Sequence, residues 1–385
     1  MTTIPEAPDL PRMRAERHAK VQHQLEMQGL DGLVLLGTNN VAYATGARAP
    51  AMDSGRAALL RPVAAVLHGD PSPHLFTPFP EGSPPELPPD HVHDPLYAGH
   101  ERLTELFAAG ARVGVDELTP VLEGLECVSA SVVLGPAKLC KTPDELACIR
   151  MAQHLNELAM RDVQPLVRPG SRQTDLSATF LRRIFELGAS SNGIDPIWQV
   201  MPPSRAAGPW TVHGDVAFPT PTTDRFLREG DVLWVDTGIC YEGYASDFGR
   251  TWIASLDDPP MPTPRQREQY ERWRAVVDAV RSRCRPGVAA IELDRAAVDA
   301  NDGTRPWLEH FYLVHGVGTD SAEMPLIGTD LGEAFDEALI LAPGMVLVIE
   351  PVIWDDGAAG YRSEDIVAIT DDGWVPLSDY PYDPW

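Results

Sequence analysis

Two stretches of this chain repeat one another, and that repeat limits the possible fold more than any other feature. Gly230-Asp-Val-Leu-Trp-Val-Asp236 matches Gly344-Met-Val-Leu-Val-Ile-Glu350 in pattern, 114 residues apart, each an apolar run that ends on an acid. Upstream, Val163–Gly170 (VQPLVRPG) and Val280–Gly287 (VRSRCRPG) each close a helical pattern on Arg-Pro-Gly, 117 residues apart. One Arg-Pro-Gly match is within reach of chance, but two ordered features at nearly one offset predict two half-domains. Each half reads helix, helix, then strands. Two such halves packed face to face place a site at their junction.

Each repeated strand has an acidic partner downstream. Asp236 and Asp247 are symmetric about the Tyr241-Glu242 step beside Gly243, and Glu350 and Glu364 about Gly357. A hairpin turning at each point sets each acid directly across from its partner on one face. Opposed like charges destabilise a strand pair, and an unpaired carboxylate leaving water costs several kcal/mol or more. For any one acid, a surface hairpin facing solvent is the simpler explanation. Two hairpins with matched acids require a shared remedy, and one or two divalent cations supply it. His315 lies between the hairpins in sequence and adds an imidazole. Four carboxylates and one histidine suit borderline-hard ions such as Mn²⁺, Co²⁺, Fe²⁺ or Zn²⁺.

The N-terminal part reads differently. Arg12 to Gly29 is an amphipathic helix ending at glycine, and Asp31 to Gly37 a buried strand. Ala57 to Leu67 and His74 to Phe76 are further strands, and the proline-rich remainder up to Pro95 is a loop. His100 to Gly110 is helical and Ala111 to Val115 a strand. No cluster of candidate ligands stands out here. A boundary falls near Gly135 to Thr142, after which Thr142 caps a helix that opens with Pro143. The expectation is an α/β protein with domains at 1–137 and 138–385.

A net charge of −25 argues against a nucleic-acid partner, which would need a basic face. The five cysteines are scattered, without a C-x-x-C pair or a disulfide framework, which points to a reducing compartment. The N-terminus lacks an apolar signal core, and no uncharged run reaches membrane-spanning length. The expectation is a cytoplasmic protein with no membrane partner.

The residues VDTG and SDFGRT around Asp236 and Asp247, HGVG at His315, IEP at Glu350 and RSED at Glu364 together resemble the pita-bread metallopeptidase family. That family comprises methionine aminopeptidase, prolidase, Xaa-Pro aminopeptidase and creatinase. The resemblance covers roughly residues 141–385, and extends more loosely to a creatinase-like N-terminal domain. It implies a pita-bread domain whose Asp236, Asp247, His315, Glu350 and Glu364 hold two divalent cations, Mn²⁺ before the others. It also implies a hydrolase of the Xaa-Pro dipeptidase type that attacks small peptides through a metal-bridging hydroxide. Glu350 matches the family's general base, and His213 the upstream histidine that contacts substrate or leaving group. Arg362, two residues before Glu364 and on the same strand face, matches an arginine that clamps a substrate carboxylate; a structural ion pair with a neighbouring acid is the alternative. Tyr241, Tyr244 and Trp210 are candidates to line the pocket, with core or surface positions as the alternative. A homodimer is implied by analogy alone.

The chain departs from the family at Ala322, where peptidases carry a second histidine seven residues after the first. Glu323 and Pro325 keep their places. Loss of one such intermediate-stabilising donor typically lowers the rate by about 10²–10³. Two alternatives follow. One is a non-peptidase of the same fold, either a dimethylsulfoniopropionate lyase using Asp320 or a creatinase-like C–N hydrolase of a small molecule. The other is a catalytically dead module that binds peptides or proteins. The lyases resemble D-x-D at the first ligand, where this chain has Gly238, and retention of all five ligand positions argues against the dead module.

Overall fold

The computed structural model describes residues 4–50, 61–118, 122, 125–204, 222–355 and 357–383. They divide into two compact units, residues 8–144 and residues 145–383 with 4–7.

The first unit runs α1 (Leu10–Gln28), β1 (Gly32–Leu35), α2 (Thr38–Thr45), β2 (Val63–Leu67), β3 (His74–Phe76), β4 (Val92–His93), α3 (Leu96–Leu106), β5 (Arg112–Val115), β6 (Glu126–Ser129) and α4 (Ser131–Leu139). Asp9 caps α1 by accepting the Arg12 N–H, and Gly29 ends it in the left-handed conformation at φ 61°. The strands form one mixed sheet in the order β4-β3-β2-β1-β5-β6. Alternation along β1 sends Leu33 and Leu35 to one core, with Val21 and Leu25 of α1 and Val133 of α4. Val34 goes to the other, with Leu96 and Leu103 of α3.

Several expectations for this unit need correction. The second strand is Val63–Leu67, and residues 57–60 lie outside the described residues. Gly135 and Pro136 sit inside α4, because burial of Val133, Leu134 and Ala137 outweighs their poor helix propensity. The proline-rich stretch ends in β4, which runs parallel to β3 at the sheet edge. That pairing gathers Asp70, His74, His91 and His93, so this part does carry a cluster of potential ligands.

The second unit shows the internal repeat. Its first half is α5 (Pro143–Val163), α6 (Gln173–Glu186), β7 (Ser191–Val200), β8 (Val232–Tyr241), β9 (Tyr244–Ala245) and β10 (Phe248–Ile253). Its second half opens with α7 (Pro264–Arg281), α8 (Ile291–Ala300), β11 (Val314–Gly316), β12 (Glu323–Ile327) and α9 (Glu333–Ala338). It closes with β13 (Val346–Ile349), β14 (Val352–Trp354), β15 (Gly360–Arg362), β16 (Asp365–Ile369) and β17 (Trp374–Pro376). Corresponding positions share backbone detail. Gly170 and Gly287, which close the two Arg-Pro-Gly motifs, have φ 91° and 83°. Their N–H groups donate to Leu227 O at 2.8 Å and Leu341 O at 2.9 Å, and the bridges Arg172–Phe226 and Ala289–Ile340 follow. The first sheet is ordered β10-β8-β7 with β9 on β8, the second β12-β11-β13-β16-β17, and β14 pairs with β15. All five cysteines are free thiols. No helix among the described residues is long and apolar enough to cross a membrane.

Candidate metal centre

The first acidic hairpin turns through Glu242 and Gly243, both at positive φ (51° and 84°), with Tyr241 paired to Tyr244. Two successive positive φ values are the signature of a type I′ turn. This sets the register two residues away from the one expected: Asp236 pairs with Gly249 and Thr237 with Phe248. Asp236 and Asp247 are therefore diagonal neighbours, not directly opposed. The absence of a side chain at Gly249 makes room for the other hairpin. A Cβ there would lie 2.4 Å from Arg362 Nη1 and 2.5 Å from Glu364 Cδ. In the second hairpin Val352 pairs with Arg362, and the flanking Ile349 with Asp365. One register runs through both pairs, so Glu350 and Glu364 stand opposite one another as read from the sequence. The Glu364 N–H donates to Gly249 O at 3.0 Å, which ties the two halves together.

The five predicted ligands converge. His315 Nε2 lies 3.2 Å from Asp247 Oδ2 and 3.2 Å from Glu350 Oε1. Oxygens of Asp236, Asp247 and Glu364 come within 4.8 Å of one another. Arg362 stands among the acids, with Nη1 3.1 Å from Asp236 Oδ2, Nε 3.2 Å from Glu350 Oε2, and Nη2 against Glu364. This is the ion-pair arrangement for Arg362, at 3% side-chain exposure. Its guanidinium also lies 4.7 Å from the centre of the Trp234 ring.

Electrostatics show that these groups want more positive charge than the protein supplies. Burial, with repulsion from Asp247 and Glu350, pushes Asp236 up to about 7 despite the attraction of Arg362. Burial likewise pushes Glu364 well above the usual carboxylate range. Burial alone would lower His315 and Arg362, but the facing carboxylates outweigh it and raise both. Asp236 Oδ1 and Glu364 Oε2 are buried and accept no hydrogen bond. His315 Nδ1 contacts Gly316 O at 2.9 Å, so the backbone holds the ring with Nε2 turned toward the acids. Buried acceptor oxygens, an oriented imidazole nitrogen and an excess of negative charge all fit one or two divalent cations.

The remaining predicted residues fall in different places. His213 and Trp210 lie outside the described residues. Tyr244 is 1% exposed and donates its hydroxyl to Glu145 at 2.7 Å, a core position. Tyr241 packs, half-buried, against the helical core. Asp320 sits in the β11–β12 loop, where its N–H faces Glu323 Oε2 at 3.4 Å. Ala322 is exposed in the same loop. The glycines of HGVG have a packing role that the sequence reading did not anticipate. A Cβ at Gly316 would lie 2.3 Å from Met324 O, and one at Gly318 2.2 Å from Glu323 Oε1.

Three supporting residues were missed. Gln153 accepts the Asp247 N–H at 3.3 Å, and the Tyr312 ring centre lies 4.8 Å from that of His315. Arg250, 1% exposed, donates to the carbonyls of Glu364 and Tyr380 at 2.9 and 3.0 Å. Its place in SDFGRT, three residues after Asp247, was the one available signal.

Comparison with known proteins agrees with this geometry. A model of metallopeptidase family M24 matches residues 147–371, and one of the creatinase/prolidase N-terminal domain matches residues 17–151. The probable dipeptidase PepE of Mycobacterium tuberculosis is 32% identical over 266 residues, covering 68% of this chain and 64% of that protein. The chain thus spans just under two thirds of that relative's length. The crystal structure of dipeptidase PepE from Mycobacterium ulcerans superposes with a TM-score of 0.73 at 25% identity, over 98% of both chains. The prolidase of Pyrococcus horikoshii superposes with a TM-score of 0.74 at 21% identity, over 96% of this chain and 100% of its own, and so shares the fold. A family model spanning more than half its length places this chain in metallopeptidase family M24, with a pita-bread domain behind a creatinase/prolidase-type N-terminal domain.

Proposed function

We propose that this chain is a hydrolase of small peptides of the Xaa-Pro dipeptide type, dependent on two divalent cations, Mn²⁺ foremost, with Co²⁺, Fe²⁺ or Zn²⁺ able to replace it. The observation that carries this reading is the convergence of four carboxylates and His315 Nε2 from both halves, with buried oxygens left unpaired. Asp236, Asp247, His315, Glu350 and Glu364 hold the cations. Such a pair polarises a scissile carbonyl and lowers the pKa of water. Glu350 takes the proton from the nucleophile and delivers it to the leaving amine. Arg362, bonded to Glu350 Oε2, keeps that carboxylate oriented. To clamp a substrate carboxylate it would have to give up three acids, so orientation of Glu350 is its better-supported role. His213 serves the substrate side.

One observation favours the non-peptidase alternative: Ala322 offers no donor where the family's second imidazole stands. The test is a Mn²⁺-loaded panel of Xaa-Pro dipeptides, N-terminal Xaa-Pro peptides and dimethylsulfoniopropionate. Turnover of the dipeptides supports the proposal, and Ala322→His then raises kcat by about 10²–10³ if the missing donor limits the rate. Peptide silence in both parent and Ala322→His, with turnover of the sulfonium substrate, replaces the proposal with the lyase. We also propose a cytoplasmic homodimer. The free thiols support a reducing compartment. A monomer mass by sedimentation would overturn the dimer.

A further inference from the structure

Among the described residues, a second group able to hold a metal ion lies in the first unit, in residues that the peptidase chemistry does not use: Asp70, His74 and His91. Strand pairing creates it. β3 and β4 run parallel with Leu75 beside Val92 and Phe76 beside His93, so His74 falls next to His91 at the sheet edge. Asp70 belongs to the β2–β3 turn, four residues before His74, where its N–H donates to Leu67 O. His18 Nε2 contacts the Asp70 carbonyl at 2.8 Å and steadies that turn.

The three side chains lie close enough to share an ion. Asp70 Oδ2 lies 3.2 Å from His74 Nε2, while Ser72 N–H engages Oδ1 at 3.2 Å. His91 Nδ1 contacts Pro73 O at 3.3 Å, which leaves Nε2 as its lone-pair nitrogen. The His74 and His91 rings stack, with centroids 3.9 Å apart and planes at 12°, so their nitrogens stand side by side. One ligand atom from each of the three residues lies within 4.8 Å of the others. His93 Nε2 meets His74 Nδ1 at 2.9 Å, which is how a ligating histidine is held by its other nitrogen. Asp70, with 21% of its side chain exposed, leaves a path from solvent.

We propose that Asp70, His74 and His91 form a second divalent-metal site, selective for a late first-row ion with Zn²⁺ foremost, with His93 orienting His74. Two imidazoles and one carboxylate are a recurrent zinc donor set, and solvent takes the fourth tetrahedral position. Binding fastens β4, an edge strand of two residues, to β3 and the β2–β3 turn. The coordinating atoms must be free of protons, so His74 would bind through Nε2 as the tautomer whose Nδ1–H donates to His93 Nε2.

The test counts Zn²⁺ in the full chain after chelation, reloading and removal of excess ion. The parent is compared with His91→Ala and Asp70→Asn, both of which change partly exposed side chains. The proposal expects each variant to hold one Zn²⁺ per chain fewer than the parent. It also expects the parent's tetrahedral Co²⁺ visible bands to weaken in both variants, while Mn²⁺-supported activity stays at the parent level. Far-UV circular dichroism in chelator checks that the variants fold. Should His91→Ala fold poorly, His91→Gln must show the same loss. Equal Zn²⁺ content in the parent and the folded variants overturns the proposal, whatever ion fills the acidic centre.

Discussion

Gly249 shows how much of the acidic centre depends on an atom that is not there. Its missing Cβ leaves the space in which Arg362 and Glu364 meet Asp236. Gly249→Ala would push a methyl to within 2.5 Å of both groups, and neither is at the free end of an exposed chain. Overpacking of this kind typically costs about 1–3 kcal/mol. Displacing a ligand's immediate support typically lowers metal affinity about 10–100-fold. The expected outcome is a loss of Mn²⁺ affinity in that range by titration calorimetry, with a smaller loss of stability; unchanged affinity would mean that Glu364 is not a ligand. At this scale the sequence was informative where the repeat spoke. Asp236 and Glu350 end matched apolar runs, and their partners follow from hairpin symmetry. It was silent on Gln153 and Trp234, whose roles arise from contacts between chain segments far apart in sequence. Arg362 was visible as a residue on the right face, but its three acidic partners come from β8, the β13–β14 link and the β15–β16 link.

At the scale of elements, errors came from short strands and turns. The first hairpin was placed correctly but its register was two residues off, because hairpin symmetry does not reveal which residues take positive φ. The Glu242-Gly243 turn decides it. At Gly243 a Cβ would meet open space, so Gly243→Ala tests conformation alone. A left-handed conformation disfavours an L residue by roughly 1–2 kcal/mol, partly offset by the lower entropy of the unfolded alanine chain. Urea unfolding should show a loss of about 1 kcal/mol, and no loss would refute the type I′ assignment. β4 went unread because two residues carry no periodicity, and the histidine cluster was missed with it. In the same unit Asp144 accepts the Asp9 N–H at 2.9 Å and pairs with Arg12 at 2.7 Å. The Arg12 hydrogen bond holds the Asp144 carboxyl below the usual range against the opposing effect of burial. A depressed carboxylate pKa gives stability that is present above the unfolded value, near 3.8, and lost as pH falls through the folded value. Asp144→Asn should therefore lower Tm at pH 7, and the gap from the parent should close below about pH 4. A gap that persists in acid would assign the effect to packing.

For the molecule as a whole, the proposed centre would couple metal binding to the stability of the entire second unit, because the repeat sets its residues in both halves. The proposed ligands come from both halves: Asp236 and Asp247 from the first, His315, Glu350 and Glu364 from the second. The Glu364 N–H to Gly249 O bond joins them through the backbone. Without cations, four acids face one arginine and one histidine, and Asp236 and Glu364 keep buried oxygens without hydrogen bonds. Ions that bind only the folded state stabilise it by about 2.7 kcal/mol at a hundred times Kd. For a unit of this size that corresponds to a rise in Tm of roughly 5–10 °C. The sequence supplies its own reporter, because all nine tryptophans lie at position 198 or beyond. One of them, Trp234, lies directly under Arg362. Tryptophan fluorescence therefore comes from the unit that carries the acidic centre and from no residue of 8–144. Chelation should lower the fluorescence-detected Tm, and Mn²⁺ should restore it. Asp236→Asn with Glu364→Gln removes the charge of two of the five proposed ligands, so this double variant should melt at one temperature with or without Mn²⁺. A parent protein whose fluorescence melt ignores both chelator and Mn²⁺ would separate the acidic cluster from metal binding and leave it a purely structural network around Arg362.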